Sequence, residues 1–463
     1  MSAMNTLKKF GLEQAFNYVY KDPDKNFIKI MDWADKFSGG GFPTQRAMIR
    51  AAISNPEHPY YPFIHRLVTD IDPHVMKTLV ANFFINANLA GWKKQDECRE
   101  KYGCNIPWAI LLDPTSACNL HCTGCWAAEY GNKLNLTYDE IDDIIRQGKE
   151  LGVYMYIYTG GEPLVRKKDL IRLCEKHNDC IFLSFTNATL IDEDFANDML
   201  RVGNFVPAIS LEGFETATDG RRGNGVYQKV IKAINLLREK KLVFGISACY
   251  TSANFESITS EAFYDSLIDL GAYFIWYFHY MPVGNDAAPD LLPTKEQREY
   301  MYHRVREIRG ATGGKPIYAM DFQNDGEFVG GCIAGGRNYC HINANGDVEP
   351  CVFIHYSSAN IREVTLLEAL KQPLFMAYRD RQPFNSNHLR PCPMLENPEI
   401  LQEMIKEAGA KSTDLQSPES AEHLCSKCKA YACEWKKTAD QLWKEHPHQQ
   451  KGYTNYKKCV EKQ

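Results

Sequence analysis

The chain has 463 residues, of which 24% are charged and 44% hydrophobic, and its formal net charge at pH 7 is −5. This length suffices for two or three domains, and the acidic balance without a lysine- or arginine-rich block argues against nucleic-acid binding. No apolar run is long enough to span a bilayer, and no signal peptide is recognisable. We therefore interpret the sixteen cysteines, which cluster at short spacings, as metal ligands in a reducing, cytoplasmic compartment rather than as disulfides.

Residues 1–105 are predicted to be helical. Apolar residues recur at helical spacing over Glu13–Phe37, and Pro73 opens a later amphipathic helix. We interpret this region as a helical extension packed on the next domain, with a substrate-recruiting module as the alternative. Its two isolated cysteines, Cys98 and Cys104, are expected to be buried rather than ligands.

From Trp108 onward, short apolar strands alternate with amphipathic helices. The predicted strands cover residues 108–112, 153–158, 181–185, 206–213, 243–250 and 273–280. Thr137 and Glu140 form a capping box that opens the first intervening helix. Six strand–helix units predict an α/β fold with a parallel sheet and right-handed crossovers. The functional site is then expected at the carboxyl ends of the strands.

The loop after the first strand carries three cysteines, Cys118, Cys122 and Cys125. Three thiolates in one loop suit an iron–sulfur cluster or zinc, and a structural zinc site is the alternative interpretation. Three ligands leave one iron of a [4Fe–4S] cube open, and an open metal position is where chemistry occurs. The second strand runs into residues 159–163, whose Gly-Gly-Glu-Pro stretch lets a ligand approach the backbone and offers a carboxylate to an ammonium.

This Cys-x3-Cys-x2-Cys loop, followed by Gly-Gly-Glu-Pro, resembles the radical S-adenosylmethionine superfamily. The resemblance implies a partial (β/α)6 TIM-like barrel over residues 106–314, with a [4Fe–4S] cluster at the cysteine loop. It also implies that S-adenosylmethionine is cleaved to a 5′-deoxyadenosyl radical, which abstracts hydrogen from a substrate C–H bond. Gly160, Gly161 and Glu162 would hold the methionine amino group, and a donor such as flavodoxin or ferredoxin would supply the electron.

The chain departs from the superfamily pattern beside the third cysteine of the loop. Relatives usually carry an aromatic residue there, which covers the adenine, whereas this sequence has Gly124. Trp126, on the far side of Cys125, is the candidate substitute.

Polar residues at other predicted strand ends complete a candidate cofactor site. They are Asn187, Ser210, Glu212 and Arg222. Ser210 and Glu212 alternate along the fourth predicted strand, so both are expected to face the same side and to suit ribose hydroxyls or the methionine ammonium. Arg222 suits the methionine carboxylate, because guanidinium binds carboxylate through two hydrogen bonds. Tyr280 and Asp321, at the ends of the sixth strand and of a possible seventh, are the candidate catalytic residues.

Residues 315–463 carry a second set of cysteines. Cys332 and Cys351 lie before and after a predicted hairpin over residues 341–350, in which Asn-Gly supplies the turn. This block resembles the auxiliary-cluster region of the SPASM and twitch subfamilies, which implies an auxiliary [4Fe–4S] cluster on these two cysteines and Cys392. A second auxiliary cluster, with zinc or no metal as the alternatives, would use Cys425, Cys428 and Cys433. That last block departs from the SPASM pattern by one shorter gap and one missing cysteine.

The leading interpretation is a radical enzyme, either an oxidoreductase or a transferase, that modifies a peptide or protein. Relatives with auxiliary clusters act on such substrates most often. The runner-up is radical modification of a lipid, an isoprenoid or another amphiphilic small molecule, because the N-terminal segment is aromatic and apolar. A non-catalytic iron–sulfur or zinc protein is the alternative from a different class.

Overall fold

A computed structural model of the chain describes residue 11 and residues 14–37, 43–310 and 313–445. One nine-stranded sheet dominates it, with the strand order β7-β6-β5-β4-β3-β2-β1-β8-β9. Its strands are β1 (Ala109–Leu112), β2 (Met155–Tyr158), β3 (Ile181–Thr186), β4 (Phe205–Ser210), β5 (Gly245–Tyr250), β6 (Phe274–His279), β7 (Tyr318–Asp321), β8 (Tyr339–Ile342) and β9 (Val348–Glu349). All neighbouring strands are parallel except the β8–β9 hairpin.

The strands of the sheet are almost entirely buried, which explains their continuous apolar sequences. Helices on its outer face alternate with the strands. They are α7 (Tyr138–Glu150), α8 (Lys167–Lys176), α9 (Glu193–Val202), α10 (Glu215–Arg222), α11 (Val226–Glu239), α12 (Phe255–Thr259), α13 (Glu261–Asp269) and α14 (Lys295–Ile308). The predicted capping box is present, because the Thr137 hydroxyl accepts from the Glu140 N–H and the Glu140 carboxylate accepts from the Thr137 N–H. The predicted α/β class and the six parallel strands are confirmed.

The sheet continues beyond the six predicted strand–helix units at both edges. The possible seventh strand is present as β7, which pairs with β6, and β8 pairs in parallel with β1 on the opposite edge, in a register that sets Leu111 against His341. The predicted domain boundary between residues 314 and 315 therefore falls before strands that belong to the barrel sheet. The strands β1 and β8 are more than 200 residues apart, and such pairing leaves no local sequence signal, which is why the β8 continuation was not predicted.

The N-terminal helices cover the amino-terminal ends of the barrel strands. They are α1 (14–19), α2 (Pro23–Phe37), α3 (Pro43–Ser54), α4 (Tyr61–Thr69), α5 (Pro73–Val80) and α6 (Trp92–Tyr102), with a π-helical segment at Ala81–Gly91. Asn82 donates to the carbonyl of Cys180, just before β3, and Gln95 donates to the carbonyl of Gly152, before β2. These two hydrogen bonds favour the interpretation of the N-terminal helices as an extension packed on the barrel over that of a substrate-recruiting module.

The C-terminal region wraps the barrel with α15 (Gly326–Val329), α16 (Leu366–Ala369), α17 (Pro373–Arg381), α18 (Pro398–Ala408), α19 (Ala421–Glu445) and the short pair β10 (Tyr356–Ser357) and β11 (Lys411–Ser412). A buried ion pair fastens it to the barrel: Arg298 of α14 lies 2.7 Å from Glu396 and stacks 4.2 Å from the ring centroid of Trp435 in α19. None of the helices in the described ranges combines the length and hydropathy of a membrane span.

Candidate active site

A cavity runs through the barrel and opens among the loops at the carboxyl ends of the strands. Its polar wall contains Cys118, Cys122, Cys125, Gly160, Gly161, Glu162, Asn187, Ser210, Arg221 and Arg222. Its apolar wall contains Trp108, Leu111, Ile157, Phe185, Trp276, Phe278, Phe322, Tyr339 and Phe353. Most of the residues predicted from the sequence thus share one space, with an aromatic chamber beside them.

The three loop cysteines lie in the polar wall and are partly buried. Burial raises the pKa of Cys118 to about 11, and burial also raises the pKa of Cys122 against the opposing charge of Arg222. The Arg222 guanidinium lies 3.9 Å from the Cys122 sulfur. Thiolate ligands must lose their protons to bind a metal, so a cationic group beside the loop favours occupancy.

The Gly-Gly-Glu-Pro turn is bound to the chain segment that precedes the cysteine loop. The Gly161 N–H donates to the Thr115 carbonyl at 3.0 Å, and the Glu162 N–H donates to the Ala117 carbonyl at 2.9 Å. A Cβ on Gly161 would lie 2.3 Å from the Ala117 carbonyl oxygen, so only glycine permits this approach. The turn and the cysteine loop are therefore positioned as one unit.

The Glu162 carboxylate is fully buried and fixed in the cavity wall. It accepts from the Thr186 hydroxyl at 2.7 Å and from the backbone N–H groups of Asn187 and Leu164 at 2.7 and 3.0 Å. Burial raises the pKa of Glu162, while these hydrogen bonds oppose the shift. A carboxylate held rigidly at a cavity wall suits an ammonium ligand.

Glu212 does not line the cavity, in contrast to the prediction. β4 ends at Ser210, so the strand alternation that would place Glu212 beside it does not continue. The buried Glu212 carboxylate instead accepts from Arg221 at 2.7 Å and from Arg222 at 2.8 Å, and it holds both guanidinium groups in the cavity wall. Arg221 was missed, although the adjacent arginines in the sequence were a signal for it.

Of two other predicted site residues, Asn187 lies in the cavity wall and Asp321 lies outside it. The Asn187 side chain lies in the wall and donates to Asn119 of the cysteine loop at 2.9 Å. Asp321 is buried outside the cavity wall, and its carboxylate accepts from the backbone of Gln323 and Asn324. The structure therefore does not bring Asp321 to a position from which it could act on a substrate.

Tyr280 lies over Gly124 in the cavity wall. A Cβ on Gly124, whose φ is +64°, would lie 2.6 Å from the Tyr280 hydroxyl oxygen, and that oxygen accepts from the Ala288 N–H at 2.9 Å. Trp126, the candidate substitute, also lines the cavity, and its ring packs against the hairpin with its centroid 5.9 Å from that of His341. The space beside the third cysteine is thus filled by Tyr280, which the sequence did not indicate.

A buried charge cluster joins the first strand to the β8–β9 hairpin. His341 lies 2.8 Å from Asp113 and 2.6 Å from Glu349, and all three are buried. Glu349 also accepts from the Tyr130 hydroxyl at 2.8 Å and the Thr413 hydroxyl at 2.5 Å. Burial lowers the pKa of His341, but the two carboxylates outweigh it and raise the value to about 10, so the imidazole is charged at neutral pH.

The C-terminal cysteines separate into two groups. Cys332, Cys351 and Cys392 lie in the turns around the hairpin, and Glu396 accepts from the Cys392 N–H at 2.6 Å. Cys425 and Cys428 are buried in α19, whereas Cys433 on the same helix is exposed and does not join them. Within the described ranges no three His, Cys, Asp or Glu side chains are grouped tightly enough to hold a single metal ion.

Two family models match the chain, and each covers one group of cysteines. The model described as the radical SAM superfamily matches residues 112–256, and that of an iron–sulfur cluster-binding domain, SPASM, matches residues 332–393. AdoMet-dependent heme synthase of Methanosarcina barkeri is 26% identical over 56% of this chain and 80% of its own length. PqqA peptide cyclase of Bradyrhizobium diazoefficiens is 26% identical over 56% of this chain and 70% of its own length.

The fold is also similar to that of solved structures. The crystal structure of Streptococcus suis SuiB bound to S-adenosylmethionine has a TM-score of 0.55 and 20% identity, and the match covers 73% of this chain and 81% of that one. Likeness at this identity concerns the fold, and it supports the barrel with its C-terminal domain.

Replacement of His341 tests the buried charge cluster. In a His341→Gln variant, Asp113 and Glu349 lose the cationic imidazole that contacts both of them, and breaking a buried ion cluster in this way costs about 3–5 kcal/mol. We expect a clearly lower urea midpoint for the anaerobically reconstituted protein. His303→Gln, at an exposed position, is the control and should change stability by less than about 0.5 kcal/mol. Equal midpoints for the two variants would contradict a stabilising role for the cluster.

The same cluster predicts a pH dependence. The His341 pKa is raised above the value near 6.5 of an unfolded histidine, so its contribution is complete below pH 6.5 and is lost as the pH rises to about 10. The stability difference between wild type and His341→Gln should therefore shrink between pH 7 and pH 10. His177, whose pKa burial lowers despite Asp142 beside it, provides the control: the His177→Gln difference should stay constant. A constant difference for His341→Gln would contradict the titration of this imidazole between pH 7 and pH 10.

Proposed function

This chain is a radical S-adenosylmethionine enzyme with a C-terminal SPASM domain, and we propose which residues hold its cofactors and which substrate it accepts. Its cofactors are S-adenosylmethionine and [4Fe–4S] clusters. Together they supply a 5′-deoxyadenosyl radical that removes a hydrogen atom from a substrate C–H bond. The protein itself binds and orients the cofactor and the substrate and excludes water, and its cavity offers groups suited to each task.

We propose that Cys118, Cys122 and Cys125 bind the cluster that contacts S-adenosylmethionine. The proposal is supported by their common position in the cavity wall and by the guanidinium of Arg222 beside Cys122. That charge favours the thiolate form over the thiol that burial would otherwise maintain. The backbone hydrogen bonds between the glycine turn and the segment before the cysteine loop fix the position of the three cysteines relative to Glu162.

Glu162 is proposed to bind the methionine ammonium, with Gly160 and Gly161 allowing the backbone to approach it. Arg222, together with Arg221, is proposed to bind the methionine carboxylate, since both guanidinium groups are oriented by Glu212. Glu212 would then be a positioning residue that acts through the arginines. The remaining wall residues proposed to contact the cofactor are Asn187, Ser210 and Tyr280.

For the auxiliary cluster we propose Cys332, Cys351 and Cys392 as ligands, with Cys425 of α19 as the fourth. Burial raises the pKa of the Tyr378 phenol, and negative charge on each of these four thiols would raise it further, which supports their closeness. Cys428 follows Cys425 by one turn in the same buried face. The predicted second auxiliary cluster on Cys425, Cys428 and Cys433 would need the same Cys425, and the exposure of Cys433 counts against it.

The proposed substrate is a peptide or protein whose apolar side chain enters the aromatic chamber. The single observation that carries this proposal is the apolar wall, built from rings such as Phe185, Trp276 and Phe278, beside the polar cofactor wall. Relatives named for peptide substrates agree with it: PqqA peptide cyclase, and SuiB, whose structure with its precursor peptide has a TM-score of 0.54. The same apolar wall favours a second candidate, an amphiphilic small molecule such as a lipid or isoprenoid.

Iron content tests the cofactor assignment. After anaerobic reconstitution, a Cys118/Cys122/Cys125→Ala triple variant should hold about four fewer irons than wild type and form no 5′-deoxyadenosine with S-adenosylmethionine and a reductant. About four irons left indicate one auxiliary cluster, and about eight indicate two. Equal iron in both proteins would contradict the loop assignment, and no iron in the variant would contradict the auxiliary site.

Deuterium transfer tests the substrate. We expect peptides with perdeuterated Leu, Ile or Phe side chains to pass deuterium to 5′-deoxyadenosine, measured by mass spectrometry, while perdeuterated acyl or isoprenoid amphiphiles do not. Phe278→Asp should lower this transfer at least about tenfold, because an unpaired charge in the chamber costs more than about 1.4 kcal/mol. Phe84→Asp, at a residue 51% exposed on the N-terminal helices, is the control. Transfer from the amphiphiles alone would favour the second candidate.

A further inference from the structure

Tyr339 in β8 touches both the cavity and the auxiliary cysteines. Its ring lies in the cavity wall and packs against Phe322, with centroids 6.1 Å apart. Its hydroxyl lies 2.8 Å from the Cys351 sulfur, within hydrogen-bond distance. The phenol is therefore already directed at a proposed ligand of the auxiliary cluster.

A second buried tyrosine, Tyr378 of α17, lies near the same cysteines. Its side chain packs on Gly335, three residues after Cys332: a Cβ on Gly335 would lie 2.5 Å from the Cβ of Tyr378. Tyr378 is fully buried, and its hydroxyl has no hydrogen-bond partner within the described residues. Burial raises the pKa of the Tyr378 phenol, and negative charge on Cys332, Cys351, Cys392 and Cys425 would raise it further. A buried hydroxyl without a hydrogen-bond partner is unfavourable, and a cluster sulfur within reach would supply the missing acceptor.

The two tyrosines approach from different elements, one on the strand beside β1 and the other on a helix after the hairpin. Both present an O–H donor, and the sulfurs of an iron–sulfur cluster are acceptors. Reduction adds negative charge to a cluster, and a hydrogen-bond donor stabilises the more negative state. Donors to the sulfurs consequently raise the reduction potential.

We propose that Tyr339 and Tyr378 donate hydrogen bonds to sulfur atoms of the auxiliary cluster and raise its reduction potential. This inference rests on the proposed ligands Cys332, Cys351 and Cys392. In this proposal the two phenols tune the reduction potential of the cluster, and neither takes part in a bond-making step.

The test uses the full-length Cys118/Cys122/Cys125→Ala protein, in which the auxiliary site alone can hold iron. Midpoint potentials are measured by anaerobic titration followed by electron paramagnetic resonance. We expect Tyr339→Phe and Tyr378→Phe each to shift the midpoint to a more negative value, and the double variant to shift it further. Tyr158→Phe is the control: it removes another fully buried, unpartnered hydroxyl, but one in β2, beside Cys174 and Cys180 rather than the auxiliary cysteines.

A second readout detects the hydrogen bonds themselves. Fe–S stretching bands in resonance Raman spectra of the parent should shift on transfer to D2O, and each Phe variant should lose part of that shift, which a packing role would not produce. Iron measured on the same samples separates the two proposals. Variants with full iron, an unchanged midpoint and an unchanged isotope shift would overturn the tyrosine role alone. A parent protein without iron would overturn the auxiliary site and this inference with it.

Discussion

The contact on which the rest of this structure depends is the buried pairing of His341 with Asp113 and Glu349. Asp113 ends the first strand, five residues before Cys118, and Glu349 ends the hairpin, two residues before Cys351. Two loops that carry cysteines proposed as cluster ligands are therefore attached to a single imidazolium. Two buried carboxylates would repel each other without it, and a neutral imidazole would neutralise neither. One charged side chain thus fixes the distance between the cofactor end of the cavity and the auxiliary domain.

Around that cluster the cavity divides into two surfaces of opposite character. The polar surface is built from groups that are already hydrogen-bonded, as Glu162 is to Thr186 and Arg221 is to the buried Glu212. These groups need little reorganisation when a charged ligand binds, which is the basis of preorganised binding. The aromatic surface offers no comparable directional contact, so it selects by size and apolar character and leaves the substrate class broad.

The barrel was predictable from the sequence because its signals are local. Apolar runs at strand length, the Thr137 capping box and the Asn-Gly turn of the hairpin each act over a few residues, and all are present in the structure. The cysteine loop and the glycine turn were likewise recognisable as a pair. By contrast, the pairing of β8 with β1 joins distant parts of the chain, and no local pattern announces it.

The parts of the site that the sequence did not predict depend on where a strand stops and what packs over a loop. Glu212 was expected in the cavity wall, but β4 ends two residues earlier. The Glu212 side chain therefore lies outside the wall, where it binds Arg221 and Arg222. Tyr280 fills the space over Gly124 from a strand about 150 residues away. Cys433 follows its neighbours in sequence, yet the turn of a continuous helix points it to solvent. Such relations are properties of the three-dimensional packing and have no sequence motif.

The helical covering of the amino-terminal ends of the barrel has a consequence for the order of events in turnover. Trp108 forms that end of the cavity and is backed by Phe83, with ring centroids 5.9 Å apart, while Asn82 and Gln95 bind the loops around it. In the part of the chain that the structure describes, small molecules and substrate must then share the passage at the opposite end. A bulky substrate seated in that passage closes the way behind it. We therefore expect a small molecule bound at the polar wall to enter before the substrate and to leave after it, so that binding is ordered rather than random.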